Sequence, residues 1–160
     1  MKKHISLTNE NGITLIEVLA TLAIVSFISI LLYGVLINGF DYSKKSQEKV
    51  SLQQEMNIVV TTITKFHESY GEYDINLDPN PGSSKIHLLG KKTDGTIDKS
   101  IELSNPNYEY SLYDYKSTPE TPLSLTTSVS TAQPLYIKII IKDKKHPSQT
   151  YEVKTIIARL

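Results

Sequence analysis

Between Val18 and Ile37 the chain has neither a charged side chain nor a proline. The wider run from Ile13 to Phe40 reads ITLIEVLATLAIVSFISILLYGVLINGF, and its single charge is Glu17. Some twenty residues at about 1.5 Å each cross a bilayer core of roughly 30 Å. The run exceeds the roughly 7–15 apolar residues of a cleaved secretory signal, and no small-x-small site follows it. A retained membrane helix is therefore expected. Lys2 and Lys3 precede it and Lys44, Lys45 and Lys49 follow it, so the flanks lack the asymmetry that orients a span.

The totals narrow the chemistry. Seventeen basic and 17 acidic side chains give a formal net charge of zero, and there is no cysteine. A disulfide scaffold, a Cys-ligated metal, a thiol nucleophile and a lipidated Cys are excluded. Neutrality gives no general reason to expect nucleic-acid binding. His4, His67, His87 and His146 stand apart, without metal-ligand spacing. No phosphate loop or nucleophile motif occurs. No catalytic residue, metal or cofactor is assigned, and the chain is not expected to be an enzyme.

Glu17 is the informative residue. A carboxylate at the centre of a membrane helix costs about 2.5–3.5 kcal/mol on insertion scales, and less near an end. It either snorkels at the membrane edge or has a partner. Its setting is NENG followed by ITLIEVLATLAIVSFISIL, after a short leader with two lysines. This pattern resembles the type IV prepilin signature, with Ile13 where the family usually has Phe. The resemblance implies that a prepilin peptidase cuts between Gly12 and Ile13 and N-methylates the new amine of Ile13. Gly12 suits such a site, since a residue without Cβ lets an extended backbone enter closely. The resemblance also implies that Glu17 pairs with the terminal amine of a neighbouring subunit, which offsets the desolvation of both charges and sets the axial offset. Where many pilins place a proline in this helix, the chain has Gly34. That residue is a candidate point of flexibility or, equally, of close packing.

Beyond Phe40 the sequence turns polar with no turn signal. Leu52, Met56, Val59, Ile63, Phe66 and Tyr70 recur at alternating spacings of four and three, one apolar stripe on a helix. Gly71 reads as a stop. One continuous helix from Ile13 to Tyr70, roughly 87 Å long, is the simplest account; a coiled coil is the rival. Segment 71–84 reads as a loop by composition. Its Asp74 and Asp78 raise the question of calcium, but their spacing is no recognised calcium loop.

Strand signals follow. Ile86–Leu89 and Ile97–Leu103 flank a KKTDG turn, and Tyr108, Tyr110 and Leu112 alternate with polar neighbours. The clustered tyrosines are either one face of a strand or a stacking platform. Segment 116–134 is rich in Ser, Thr and Pro and reads as a long loop, with an edge strand allowed at Leu123–Val129. Leu135–Lys142 and Tyr151–Ile157 form a hairpin whose apolar face should cover the helix stripe. Lys138, Lys142, Lys144 and Lys145, with His146, are weak candidates for DNA contact. Lysines guarding an edge hairpin against aggregation explain them as well.

The expected fold is α+β: a long N-terminal helix whose second half packs on a small antiparallel sheet, as in type IV pilins. The expected parts are a leader (1–12), a membrane or filament-core helix (13–40), its amphipathic extension (41–70) and a β-rich head (71–160). The resemblance implies a minor pilin-like subunit, single-pass in the cell membrane with its head outside the cytoplasm, assembled into a pseudopilus. Its implied partners are the peptidase, other pilin or pseudopilin subunits, membrane lipid before assembly and, indirectly, an assembly ATPase and platform protein. Sixteen lysines against one arginine suggest an AT-rich genome and a Gram-positive cell. By analogy that favours DNA uptake in competence over type II secretion or a type IV pilus. An unprocessed single-pass protein with an extracellular binding domain is the remaining alternative.

Overall fold

A computed structural model describes residues 14–78, 85–116, 118–123 and 126–159. Among the described residues one helix, α1, runs unbroken from Leu15 to Ser69, which the absence of proline allows. The chain divides into two compact units, residues 1–45 and 46–160.

In the first unit the large apolar side chains from Leu15 to Tyr42 all face outward, Leu15 and Phe27 being 79% and 74% exposed. A helix apolar on every side needs an apolar surrounding. Three of its hydroxyls are suited to one. Thr21 Oγ1 donates to Val18 O at 2.9 Å, and Ser26 and Ser29 Oγ donate to Leu22 O and Val25 O at 2.7 Å. The helix runs on through Gly34, where an added Cβ would meet nothing within 4 Å.

The second unit is built on the stripe. Leu52, Met56, Val59, Ile63 and Phe66 are buried, joined by His67, while Tyr70 is half-buried. Against them stand eight strands: β1 (Glu72–Leu77), β2 (Lys85–Lys91), β3 (Ile97–Ser104), β4 (Tyr108–Asp114), β5 (Thr121–Pro122), β6 (Thr126–Ser130), β7 (Leu135–Asp143) and β8 (Thr150–Ile157). They form two antiparallel four-stranded sheets, ordered β3-β2-β1-β6 and β5-β4-β7-β8. The inward residues alternate along each strand. They include Tyr73 and Ile75 on β1, Ile86 and Leu88 on β2, Tyr110 and Leu112 on β4, and Ile137, Ile139 and Ile141 on β7. The helix stripe and both sheets close one core.

Three expectations need correction. There are two sheets rather than one small sheet. Glu72–Leu77, expected as loop, is the strand β1 at the interior of its sheet. Its Asp and Asn residues suggest a turn, but Asp74 faces away from the core, 2.7 Å from Lys91 Nζ and 2.6 Å from Ser128 Oγ on the two flanking strands. Burial pushes the Asp74 carboxyl up, and those hydrogen bonds with the Lys91 charge outweigh it, leaving the group below its usual range. Finally, the Ser/Thr/Pro-rich segment supplies strands: β6 pairs with β1 from Glu72↔Ser130 to Asn76↔Thr126, near the edge strand allowed there.

Candidate processing and assembly site

The helix start is built by Thr14. Its backbone N–H donates to Glu17 Oε2 at 2.9 Å and its hydroxyl to the same oxygen at 3.0 Å. Glu17 N–H approaches Thr14 Oγ1 at 3.4 Å in return. This is a capping box, Thr at the cap and Glu three residues on, which satisfies amides that the first turn leaves without partners. The T-x-x-E spacing was present in the sequence as a helix-start signal distinct from the pilin resemblance. Gly12 and Ile13, the expected cleavage and methylation residues, lie outside the described residues. The donor in the box is the amide between Ile13 and Thr14, which a cut after Gly12 leaves intact. Glu17 Oε1 has no hydrogen-bond partner among the described residues.

The lysines offered for DNA contact do not form one group. Lys138 lies in the middle of β7, its side chain 15% exposed, with Nζ 2.9 Å from Glu120 and 3.1 Å from Glu152. Glu120 also holds Lys154 at 2.5 Å. Hydrogen bonds from Lys154 and Lys138 keep the Glu120 carboxyl below its usual range. The charge of Lys138 is matched within the sheet. Lys142, Lys144 and Lys145 sit together at the far end of β7 and in the turn to β8. Asp143 Oδ1 accepts the amides of Lys145 and His146 at 2.7 and 3.0 Å and so shapes that turn.

Tyr108, Tyr110 and Leu112 are buried, so they form the inner face of β4 and not a stacking platform. Tyr110 OH donates to Glu55 Oε1 at 2.5 Å, and Asn105 Nδ2 donates to Glu55 Oε2 at 2.9 Å. Burial first, then the bond to Glu55, pushes the Tyr110 hydroxyl well above its ordinary pKa. A pocket of about 770 Å³ opens at the end of β1 and β2 among Tyr70, Gly71, Lys91, Asp94 and Ser130. Among the described residues no cluster of three metal-ligating side chains occurs.

Residues 7–33 match the family model described as "Prokaryotic N-terminal methylation motif". No curated protein and no solved structure matches the chain. The N-terminus thus carries the prepilin-type signature, placed at the start of a helix long and apolar enough to cross a membrane. One long helix packed on antiparallel sheets is consistent with a pilin-like fold. That motif, over residues 7–33, is of the kind that a prepilin peptidase processes.

Proposed function

We propose that the chain is a minor pseudopilin, held in the cytoplasmic membrane as a precursor, cut between Gly12 and Ile13, N-methylated on Ile13 and assembled into a short pseudopilus that serves DNA uptake. The match of residues 7–33 to the methylation motif carries this reading. Two details support it. The first is an outward apolar surface from Leu15 to Tyr42, which requires lipid or other helices around it. The second is the disposition of Glu17: Oε2 is engaged by Thr14, which leaves Oε1 to receive a positive terminal amine from a neighbouring subunit. A charge-assisted bond there would offset the desolvation of both groups. The competence role rests on composition and analogy alone.

Mass spectrometry of the N-terminus tests the processing step. In cells with the peptidase the mature chain should begin at Ile13 and carry one added methyl group; in peptidase-deficient cells it should retain the leader. An intact Met1 in peptidase-positive cells would sink the reading in favour of a plain single-pass protein.

A further inference from the structure

An edge strand offers a row of unpaired N–H and C=O groups to any strand able to meet it. Among the described residues the edges of the two sheets are β3 and β6, and β5 and β8. Three of these edges are blunted. β5 has two residues, one of them Pro122, and β6 has five. β3 is eight residues long, but its register with β2 slips at Gly90/Lys91. Alternation also puts Lys99 on the same side of β3 as Ile101 and Leu103, which pack against the core. An inward charge and an irregular register both obstruct an added strand.

β8 has none of these devices. Its eight residues, Thr150–Ile157, include no proline or glycine and hold unbroken register with β7, from Leu135↔Ile157 to Lys142↔Thr150. Its core-facing residues are Tyr151, Val153, Thr155 and Ile157, all uncharged, and the first three are only half-buried. A further strand would complete their cover. On the outer face Thr150, Glu152, Lys154 and Ile156 are exposed. Glu152 lies 3.1 Å from Lys138, and Lys154 lies 2.5 Å from Glu120, so both charges are fixed in place.

Those charges discriminate between partners. An added strand must set inner residues opposite inner residues, because a slip of one turns every side chain to the wrong face. For a second β8 lying antiparallel, three central registers meet that condition. Centred on Glu152, the pairing opposes two carboxylates; centred on Lys154, it opposes two ammonium groups. Centred on Val153, it sets Glu152 opposite Lys154 twice, Thr150 opposite Ile156 and Tyr151 opposite Thr155. Unlike charges directly opposed stabilise a strand pair, and like charges destabilise it. The edge is complementary to itself in the Val153-centred register.

We infer that β8 is a self-pairing edge: the β8 strands of two copies join antiparallel about Val153 and merge their two β5-β4-β7-β8 sheets. The contact is isologous, so it closes at two copies and does not propagate. It lies within the head and goes beyond the pseudopilin reading, which is tested separately at the N-terminus.

The full chain has no cysteine, so introduced thiols report the register. Two differently tagged copies, one Thr150→Cys and the other Ile156→Cys, are co-expressed, and isolated membranes are oxidised with copper phenanthroline. In the Val153-centred register these positions face each other with Cβ atoms about 5 Å apart, near the span of a disulfide. Two copies of one position are six residues out of step, roughly 20 Å, and beyond that span. Disulfides between the two tags should therefore exceed same-position links by about tenfold or more. Glu152→Lys in both copies should cut the mixed yield about tenfold, and adding Lys154→Glu should restore it. Thermal melts of the variants separate lost pairing from a lost fold, and the thiol pair on the native charges decides the matter if the reversed chain does not fold. Mixed and same-position links in equal yield would show contact through the helices alone and overturn the inference. So would a mixed yield blind to charge reversal in folded chains. An Ile156→Cys thiol that links to no copy yet resists a soluble maleimide would give the edge to a strand of another protein and overturn the self-pairing.

Discussion

Glu17 has two calls on its carboxylate, one within the chain and one proposed beyond it. Glu17→Ala is expected to leave insertion and leader removal largely intact while the subunit drops out of the sheared filament fraction; normal incorporation would count against the pairing role. Gly90 shows a different residue-scale constraint. A Cβ there would lie 2.5 Å from the Tyr70 ring, whose hydroxyl donates to Asp98 at 3.1 Å. Gly90→Ala should cost about 1–3 kcal/mol, as overpacking does. The same change beside Tyr70→Ala should cost less than the sum, because the two sites share one contact. Thermal melts of the four chains in detergent check this. His67 is fully buried, with Nδ1 3.3 Å from Tyr73 OH and Nε2 without a hydrogen-bond partner among the described residues. Burial first, then the Arg159 charge, lowers its pKa from 6.5. A depressed folded pKa means the unfolded chain takes the proton first. Stability from this group is therefore present above about 6.5 and lost as pH falls toward the lower folded value. The melting midpoint should fall on acidification from neutrality, and His67→Phe should flatten that slope.

At the scale of elements, the link between helix and sheets is both apolar and polar. Tyr110 on β4 and Asn105 beside it converge on Glu55 of α1. Tyr110→Phe removes a bond to a half-buried carboxylate and should cost about 1.5–3 kcal/mol in chemical denaturation; a loss near zero would show water replacing the hydroxyl. Much of this layer was legible beforehand, because periodicity is written in side-chain spacing. The stripe from Leu52 to Phe66, the 86–103 hairpin, β4 and the C-terminal hairpin all follow from periods of 3.6 and 2. The strand β1 was not, although Tyr73, Ile75 and Leu77 alternate. Its acidic residues are loop-like in composition, and only the flanking strands supply Lys91 and Ser128 to Asp74. The pairing of β6 with β1 spans some fifty residues and leaves no local trace. His67, read as isolated, is core because Tyr73 follows it across the turn. The Thr14–Glu17 box was written in the sequence, but the same carboxylate also fits the pilin pattern, and the local role was the less conspicuous.

For the whole molecule, the zero net charge is a sum of unlike parts: residues 1–12 with Lys2, Lys3 and Glu10, an apolar segment with one carboxylate, and a remainder of 15 basic and 15 acidic side chains in which Lys85, Lys91 and Lys138 are matched to acids within the sheets. The two units should respond differently to truncation. Ile63→Ala opens the core and should lower head stability by about 2–5 kcal/mol. Phe27→Ala, in the outward-facing segment, should leave head unfolding unchanged, as followed by tyrosine fluorescence. A large effect at Phe27 would mean that the first unit supports the second. The hydroxyls of Thr21, Ser26 and Ser29, each bonded back to its own helix, have a consequence for exchange between environments. These three hydroxyls can pass from lipid tails to neighbouring helices, or return, without losing their bonds, whereas Tyr33 and Asn38 present polar groups outward. The direction of transfer then falls chiefly to Glu17, the one charged group between Ile13 and Phe40.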